Sequence, residues 1–180
     1  MVNQFGLKFK ILILLNMKLE LTFYKQLKAL FTSIIMFLAI IFIAYYVGFN
    51  DKNTYKIIIP LIVILILPTL YLHINYYNKC KNYVYILNKD EIKVIKNNRE
   101  VDYRKENFKE IKIYMSGTRM AGLALRNFPF ENYYYTKIVM HDKHEIIIPC
   151  LFSNNIDRIL VSLYNEIPVI KIKSFYPNIV

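Results

Sequence analysis

Ala29-Leu-Phe-Thr-Ser-Ile-Ile-Met-Phe-Leu-Ala-Ile-Ile-Phe-Ile-Ala-Tyr-Tyr-Val-Gly-Phe49 and Ile57-Ile-Ile-Pro-Leu-Ile-Val-Ile-Leu-Ile-Leu-Pro-Thr-Leu-Tyr-Leu-His-Ile-Asn-Tyr-Tyr77 are the stretches whose reading decides the architecture. Each lies within 22 residues free of Asp, Glu, Lys and Arg, the first run bounded by Lys28 and Asp51, the second by Lys56 and Lys79. A helix rises about 1.5 Å per residue and the hydrocarbon core is about 30 Å thick, so about 20 apolar residues span it. Both runs are long enough. Residues 34–44 are apolar almost all round, whereas a buried helix of a soluble protein usually keeps a polar face. The expectation is a transmembrane helical hairpin with spans 29–49 and 57–77, joined by a connector short enough to make them antiparallel neighbours.

The flanks orient it. Lys18, Lys25 and Lys28 precede the hairpin and Lys79, Lys81 and Lys89 follow it, against Lys52 and Lys56 in the connector, which Asp51 partly offsets. The excess of basic residues on the outer flanks predicts cytoplasmic termini, and Tyr45, Tyr46, Phe49 and Tyr55 suit the headgroup layer. Pro60 is expected in the first turn of the second span, and Pro68 in its interior as a kink. His73, among Tyr71, Tyr76 and Tyr77, reads as an interfacial anchor. Neither span contains a carboxylate, which argues against an ion-coupled transporter.

With about 50 of 180 residues assigned to a bilayer, the remainder suffices for one small domain. The 56% hydrophobic content follows from the spans, and the net charge of +11 is shared: +5 over residues 1–77 and +6 over 78–180. An anionic lipid surface is the nearer polyanion, and no nucleic-acid reading motif accompanies the charge. The domain organisation expected is a cytoplasmic segment 1–28, the hairpin 29–77, a cytoplasmic domain 78–167 and a tail 168–180 without assignment. Residues 11–15 form an apolar run too short for a signal peptide, with no small-residue cleavage pattern after it. Met17 is an alternative start. Residues 18–23 alternate like a half-buried strand that adds to a sheet.

After Tyr77 the period changes from helical to alternating. Strands are expected at 83–87, 91–96, 101–104, 108–115, 133–141 and 144–148, with Asn97-Asn98 a tight turn because Asn tolerates the left-handed conformation. Ile156, Ile159, Leu160, Leu163 and Ile167 then form one apolar helical stripe, capped by Ser153 or Asn154, with Asp157 in the first turn and Pro168 as the stop. The fold class is a membrane α-hairpin plus an α+β domain: an antiparallel sheet or partial barrel closed by a C-terminal helix.

That order, with Tyr83-Val-Tyr-Ile-Leu-Asn-Lys-Asp-Glu-Ile-Lys-Val-Ile95, Glu100-Val-Asp-Tyr103 and Phe108-Lys-Glu-Ile-Lys-Ile-Tyr114, resembles the bacterial PH-like domains that sit behind a two-helix membrane hairpin. The resemblance covers residues 17–167 and implies a membrane-anchored cytoplasmic module rather than an enzyme. It carries over no functional residue. The segment 115–132 departs from it, being longer than a simple strand connection.

No residue set points to a cofactor. His141, His144 and Cys150 flank a turn without the second pair of ligands a closed tetrahedral metal site needs. Cys80 and Cys150 are expected as free thiols, with acylation of Cys80 the alternative. The candidate binding loop is 115–132, which gathers Ser116, Gly117, Arg119, Gly122 and Arg126 with apolar Met120, Leu123, Leu125, Phe128 and Phe130. Arginine suits phosphate and the apolar residues suit an interface, although they can equally complete the core. Two functions follow: a binding or scaffolding module that takes a protein segment or anionic lipid headgroup, or an accessory subunit of a membrane transport or envelope complex acting through its helices. The expected location is a bacterial cytoplasmic membrane; oligomeric state is left open.

Overall fold

The computed structural model describes residues 17–47, 52–122 and 128–179. Strand β1 (Met17–Glu20) leads into helix α1 (Phe23–Val47); a second apolar helix follows as α2 (Lys52–Leu61), a π-helical turn (Ile62–Ile66) and α3 (Leu67–Cys80). The chain then forms β2 (Tyr83–Leu87), β3 (Glu91–Lys96), β4 (Arg99–Arg104) and β5 (Phe108–Met115), a short helix α4 (Gly117–Met120), β6 (Tyr134–Met140), β7 (Glu145–Pro149), helix α5 (Ile156–Leu163) and β8 (Val169–Lys173).

All six expected strands are present, but they form two four-stranded sheets, ordered β1-β2-β3-β4 and β7-β6-β5-β8, which do not close into a barrel. The pairing is also not wholly antiparallel, because β8 lies parallel to β5 from Ile111↔Val169 to Met115↔Lys173. The alternation of residues 18–23 proves to be strand over its first part: β1 pairs with β2 from Met17↔Leu87 to Glu20↔Val84. The two apolar helices are therefore an excursion between adjacent strands of one sheet. Asn97 and Asn98 take φ of 49° and 64°, the left-handed geometry expected of that turn.

Between the sheets lies one core. Leu19, Tyr85, Leu87 and Ile92 enter it from the first sheet, Ile111, Ile113, Ile138 and Ile148 from the second, and α5 buries Ile156, Leu160 and Leu163 against it. Two capping expectations fail. Asn155 occupies the α5 cap position without a side-chain bond, so neither Ser153 nor Asn154 caps, and the helix ends at Leu163, before Pro168 is reached. Pro60 lies at the far end of α2, not in a first turn, since the helix begins at Lys52. The π turn immediately precedes Pro68, where the proline lacks an N–H and its ring crowds the carbonyl a turn earlier.

The second helix is continuous with the core. Leu72, His73, Tyr76 and Cys80 of α3 are all buried. Tyr76 packs edge-on against Tyr133 (5.6 Å) and Tyr135 (6.1 Å), and His73 Nδ1 lies 3.0 Å from the Tyr133 hydroxyl, so His73 is a partnered packing residue rather than a headgroup anchor. The tail closes this joint: the Tyr76 hydroxyl donates to the Pro177 carbonyl, Asn75 Nδ2 donates to the Ile179 carbonyl (3.2 Å), and the Ile179 N–H donates to Asn75 Oδ1 (2.9 Å). Asn75→Ala removes both of its bonds and is expected to speed amide exchange at Ile179 about fivefold, since the one bond that this N–H donates contributes about 1 kcal/mol. Hydrogen exchange should show β3 and β4 unchanged.

Candidate functional site

The described part of the loop expected to bind a ligand is held by contacts within the fold. Ser116 is buried; its hydroxyl accepts the Arg119 N–H (3.3 Å) and donates to the Glu131 carbonyl (3.2 Å), which starts α4 and ties it to the following turn. Gly117 sits against the flexible end of Lys173. Gly122 takes φ of 72°, a left-handed position that a side chain would strain. Arg126, Leu123 and Leu125 lie outside the described residues, as do residues 1–16 with their apolar run and residues 48–51, which include the first two residues of the connector.

Arg119 is the informative member. Its Nη2 lies 3.1 Å from Asp157 Oδ2 and 3.4 Å from the Asn154 carbonyl, and its guanidinium stacks 3.6 Å from the centre of the Tyr134 ring. The Tyr134 hydroxyl in turn donates to Asp157 Oδ1 at 2.9 Å. Both charged side chains are largely covered, 13% and 16% exposed. A buried pair that also makes hydrogen bonds and a cation–π contact locks α4 to α5; it does not present a free arginine to a phosphate. Met115 and Phe130 are core residues and Phe128 packs partly buried against them, whereas Met120 is exposed. Beside Arg119 is a polar pocket of about 260 Å³ at the root of α1, reached by Lys28, Thr32, Asn132 and Asn155.

A larger concavity lies elsewhere, a groove of about 930 Å³ between the β3–β4 hairpin and the edge strand β7. It exists because β4 is exposed along almost its whole length, so the hairpin overhangs the second sheet instead of packing on it. Tyr83, Tyr85, Val94 and Val101 line one wall, and Glu145, Ile146 and Ile147 the other. Lys79, Lys96 and Arg99 stand on its rim. Tyr83 and Tyr85 stack at 5.9 Å, and Lys96 Nζ sits 4.8 Å from the centre of the Tyr83 ring. Two contacts bridge the sheets: the Tyr85 hydroxyl donates to the Ile147 carbonyl (2.7 Å), and the Tyr103 hydroxyl lies 3.0 Å from His144 Nε2 with the rings stacked. Sequence reasoning missed this groove, although the alternation that places Lys96, Arg99 and Tyr103 on one face was visible.

His144 thus faces Tyr103, while Cys150 is buried, and among the described residues no three His, Cys, Asp or Glu side chains are grouped as metal ligands. Burial pushes the Cys150 thiol up to about 11 and Tyr135 up to about 12, and raises Tyr134 further still, with the Arg119 charge opposing part of that rise. Cys80 is also enclosed, at 2% exposure, which removes it from reach of an acyl donor in the folded protein.

The chain thus folds as two packed four-stranded sheets, with α5 between β7 and β8 of the second. A PH-domain family model matches residues 18–157, and the chain belongs to that family. The matched segment includes both apolar helices. No curated protein and no solved structure matches the chain.

Two measurements check the site. Asp157→Asn leaves Arg119 charged and covered without its partner, and is expected to lower stability by about 2–3 kcal/mol in a denaturant melt, a value below the usual range for fully buried pairs because both groups keep some exposure. At pH 8, well below the raised Cys150 value, the thiol stays protonated; iodoacetamide should modify it at less than about 1% of the rate of a free cysteine until the protein unfolds, as mass spectrometry would show.

Proposed function

We propose that this protein is a membrane-anchored cytoplasmic PH-domain binding and scaffolding module, without catalytic activity of its own, held against the inner leaflet of a bacterial cytoplasmic membrane with both termini on the cytoplasmic side. The observation that carries this reading is the exposure of the two apolar helices. The most apolar 18-residue windows of Phe23–Tyr46 and Thr54–Cys80 have mean hydropathies of 2.5 and 2.6, yet only 17% and 22% of those windows is buried. The core helix of a soluble protein would bury most of that surface. Phe31 and Phe42 on α1, and Ile57 and Ile59 on α2, are each about 60% or more exposed. Side chains of this kind are each worth about 1.5–3 kcal/mol when removed from water, so a bilayer is the cover that suits them.

The buried face of the hairpin supports the same reading. Outside the part that docks on the domain, it consists of Ser33, Ile40 and Ala44 on α1, and Thr54, Ile66 and Thr69 on the partner helix. Small and hydroxyl side chains let helix backbones approach where lipid removes any hydrophobic drive to associate. The last turns of α3 belong to the domain core, which supports a bilayer portion at residues 54–71, about 27 Å of helix, somewhat earlier than the sequence pattern alone suggested. A binding role rather than catalysis is supported by the commitment of the buried polar groups to one another: His73 to Tyr133, and Arg119 and Tyr134 to Asp157.

The test is topology in native membranes. The protein is expected to stay in the membrane fraction after carbonate extraction and to dissolve only in detergent. A cysteine placed at Asn53 should react with a membrane-impermeant maleimide from outside the cell, and one placed at Asp142 only after the membrane is opened. Release by carbonate would remove the anchor from the model, and labelling of Asp142→Cys in intact cells would reverse the orientation.

A further inference from the structure

We propose that the groove between β4 and β7 binds an extended acidic segment of a partner protein, one that alternates carboxylate and apolar side chains. This names the ligand class of the module proposed above and rests on that reading.

The first support is backbone geometry. Strand β7 is the end of its sheet, bonded only to β6. The Cys150 N–H donates to the Tyr134 carbonyl and the Met140 N–H to the His144 carbonyl, so even-numbered positions of β7 exchange bonds with β6. The backbone groups of Glu145 and Ile147 therefore face away from β6, into the groove. Tyr85 takes one lone pair of the Ile147 carbonyl, and among the described residues the Ile147 N–H donates to no other group. Pro149, also at an outward position, ends the usable edge without disturbing the ladder. The opposite edge of the sheet is taken by the chain's own β8, with Lys171 and Lys173 along it. Within the groove an added strand can start on the β7 edge, at Glu145 and Ile147.

The second support is charge, which the β3–β4 hairpin separates by face. Lys93 and its partners Glu91, Glu100 and Asp102 (3.8, 3.3 and 3.6 Å) project from the outer face. The alternate positions, Val94, Lys96, Arg99 and Val101, line the groove. Among the described residues no carboxylate lies within ion-pair distance of Lys79, Lys96 or Arg99, while the one acid in the groove, Glu145, is neutralised by Lys137 at 2.8 Å. The rim is thus cationic and the wall apolar. A strand whose side chains alternate matches both: carboxylates toward the rim, apolar residues toward Val94, Val101 and Ile146. The free strand edge favours a polypeptide over a lipid, which offers no backbone donors and acceptors to pair with it.

The probe is a fluorescein-labelled peptide alternating Glu with Ile, Val and Phe over seven residues, with a Lys-for-Glu peptide as control, titrated by polarisation against the full chain in uncharged detergent micelles. The acidic peptide is expected to bind at least about tenfold more tightly than the basic one, as steering by several unpaired cations implies. Lys96→Glu combined with Arg99→Glu should invert that preference, an outcome that misfolding cannot produce. Val101→Trp, at a position 48% exposed, should fill the groove and weaken the acidic peptide about tenfold while leaving the thermal transition in place. No binding of the acidic peptide to the unmodified chain, or equal binding after charge reversal, overturns the inference. So does displacement of the peptide by phosphatidylglycerol vesicles but not by phosphatidylcholine vesicles, with protection of Val101→Cys from maleimide by the lipid, which would assign the groove to an anionic headgroup. Any of these failures leaves carbonate resistance and cysteine topology untouched, so the anchored-module reading stands or falls separately.

Discussion

The packing of Tyr76 against Tyr133 and Tyr135 is the contact on which the rest of the molecule depends. It brings the last turns of an apolar helix into the core of a sheet domain, so that helix and domain share one interior rather than being joined by a tether. His73 completes the cluster through the Tyr133 hydroxyl, and the chain end closes over it through Asn75, Tyr76 and Ile179. Aromatic rings at these separations, meeting edge to face, hold angle as well as distance. The helix direction is thereby set relative to the sheets, and so is the direction in which the groove opens.

The two concave regions then divide the work of the polar side chains differently. Near the root of α1, charge is spent internally: Arg119 and Tyr134 both bond to Asp157 beside a small polar pocket, although the Arg119 Nε stays buried without a partner. Along the β3–β4 overhang, charge is displayed, with acids gathered around Lys93 on the outer face and cations turned to the groove. Arg119 thus braces α4 against α5, while the β3–β4 hairpin turns Lys96 and Arg99 toward the groove. A charge is available to a ligand only where the fold has not already supplied its counterion.

Much of this was legible in the residues. The apolar runs, the six strands from Tyr83 onward, the left-handed Asn97-Asn98 turn and the amphipathic stripe of α5 follow from period and turn chemistry, which act over a few residues. The tail was not, because Val169-Ile-Lys-Ile-Lys173 becomes a strand only by meeting β5, an edge supplied from far along the chain. The pairing of Arg119 with Asp157 was not legible either, since the two lie 38 residues apart and no local pattern joins them. The α5 cap and the place of Pro60 were missed because element boundaries depend on where packing stops, not only on which residues favour a cap.

By itself the sequence determined the composition of the parts: two helices apolar enough to cross a bilayer, alternating strands, and a cationic balance shared between the halves. Those properties belong to short stretches, whose preferences need no partner to be read. The tertiary structure decided how the parts are joined and which surfaces remain open. It inserted the helices between β1 and β2, merged α3 with the core, split the strands into two sheets, paired Arg119 with Asp157, and left the outer edge of β7 open opposite Lys96 and Arg99. Each of these outcomes rests on contacts between residues distant in sequence, whose value depends on what every other segment has already covered.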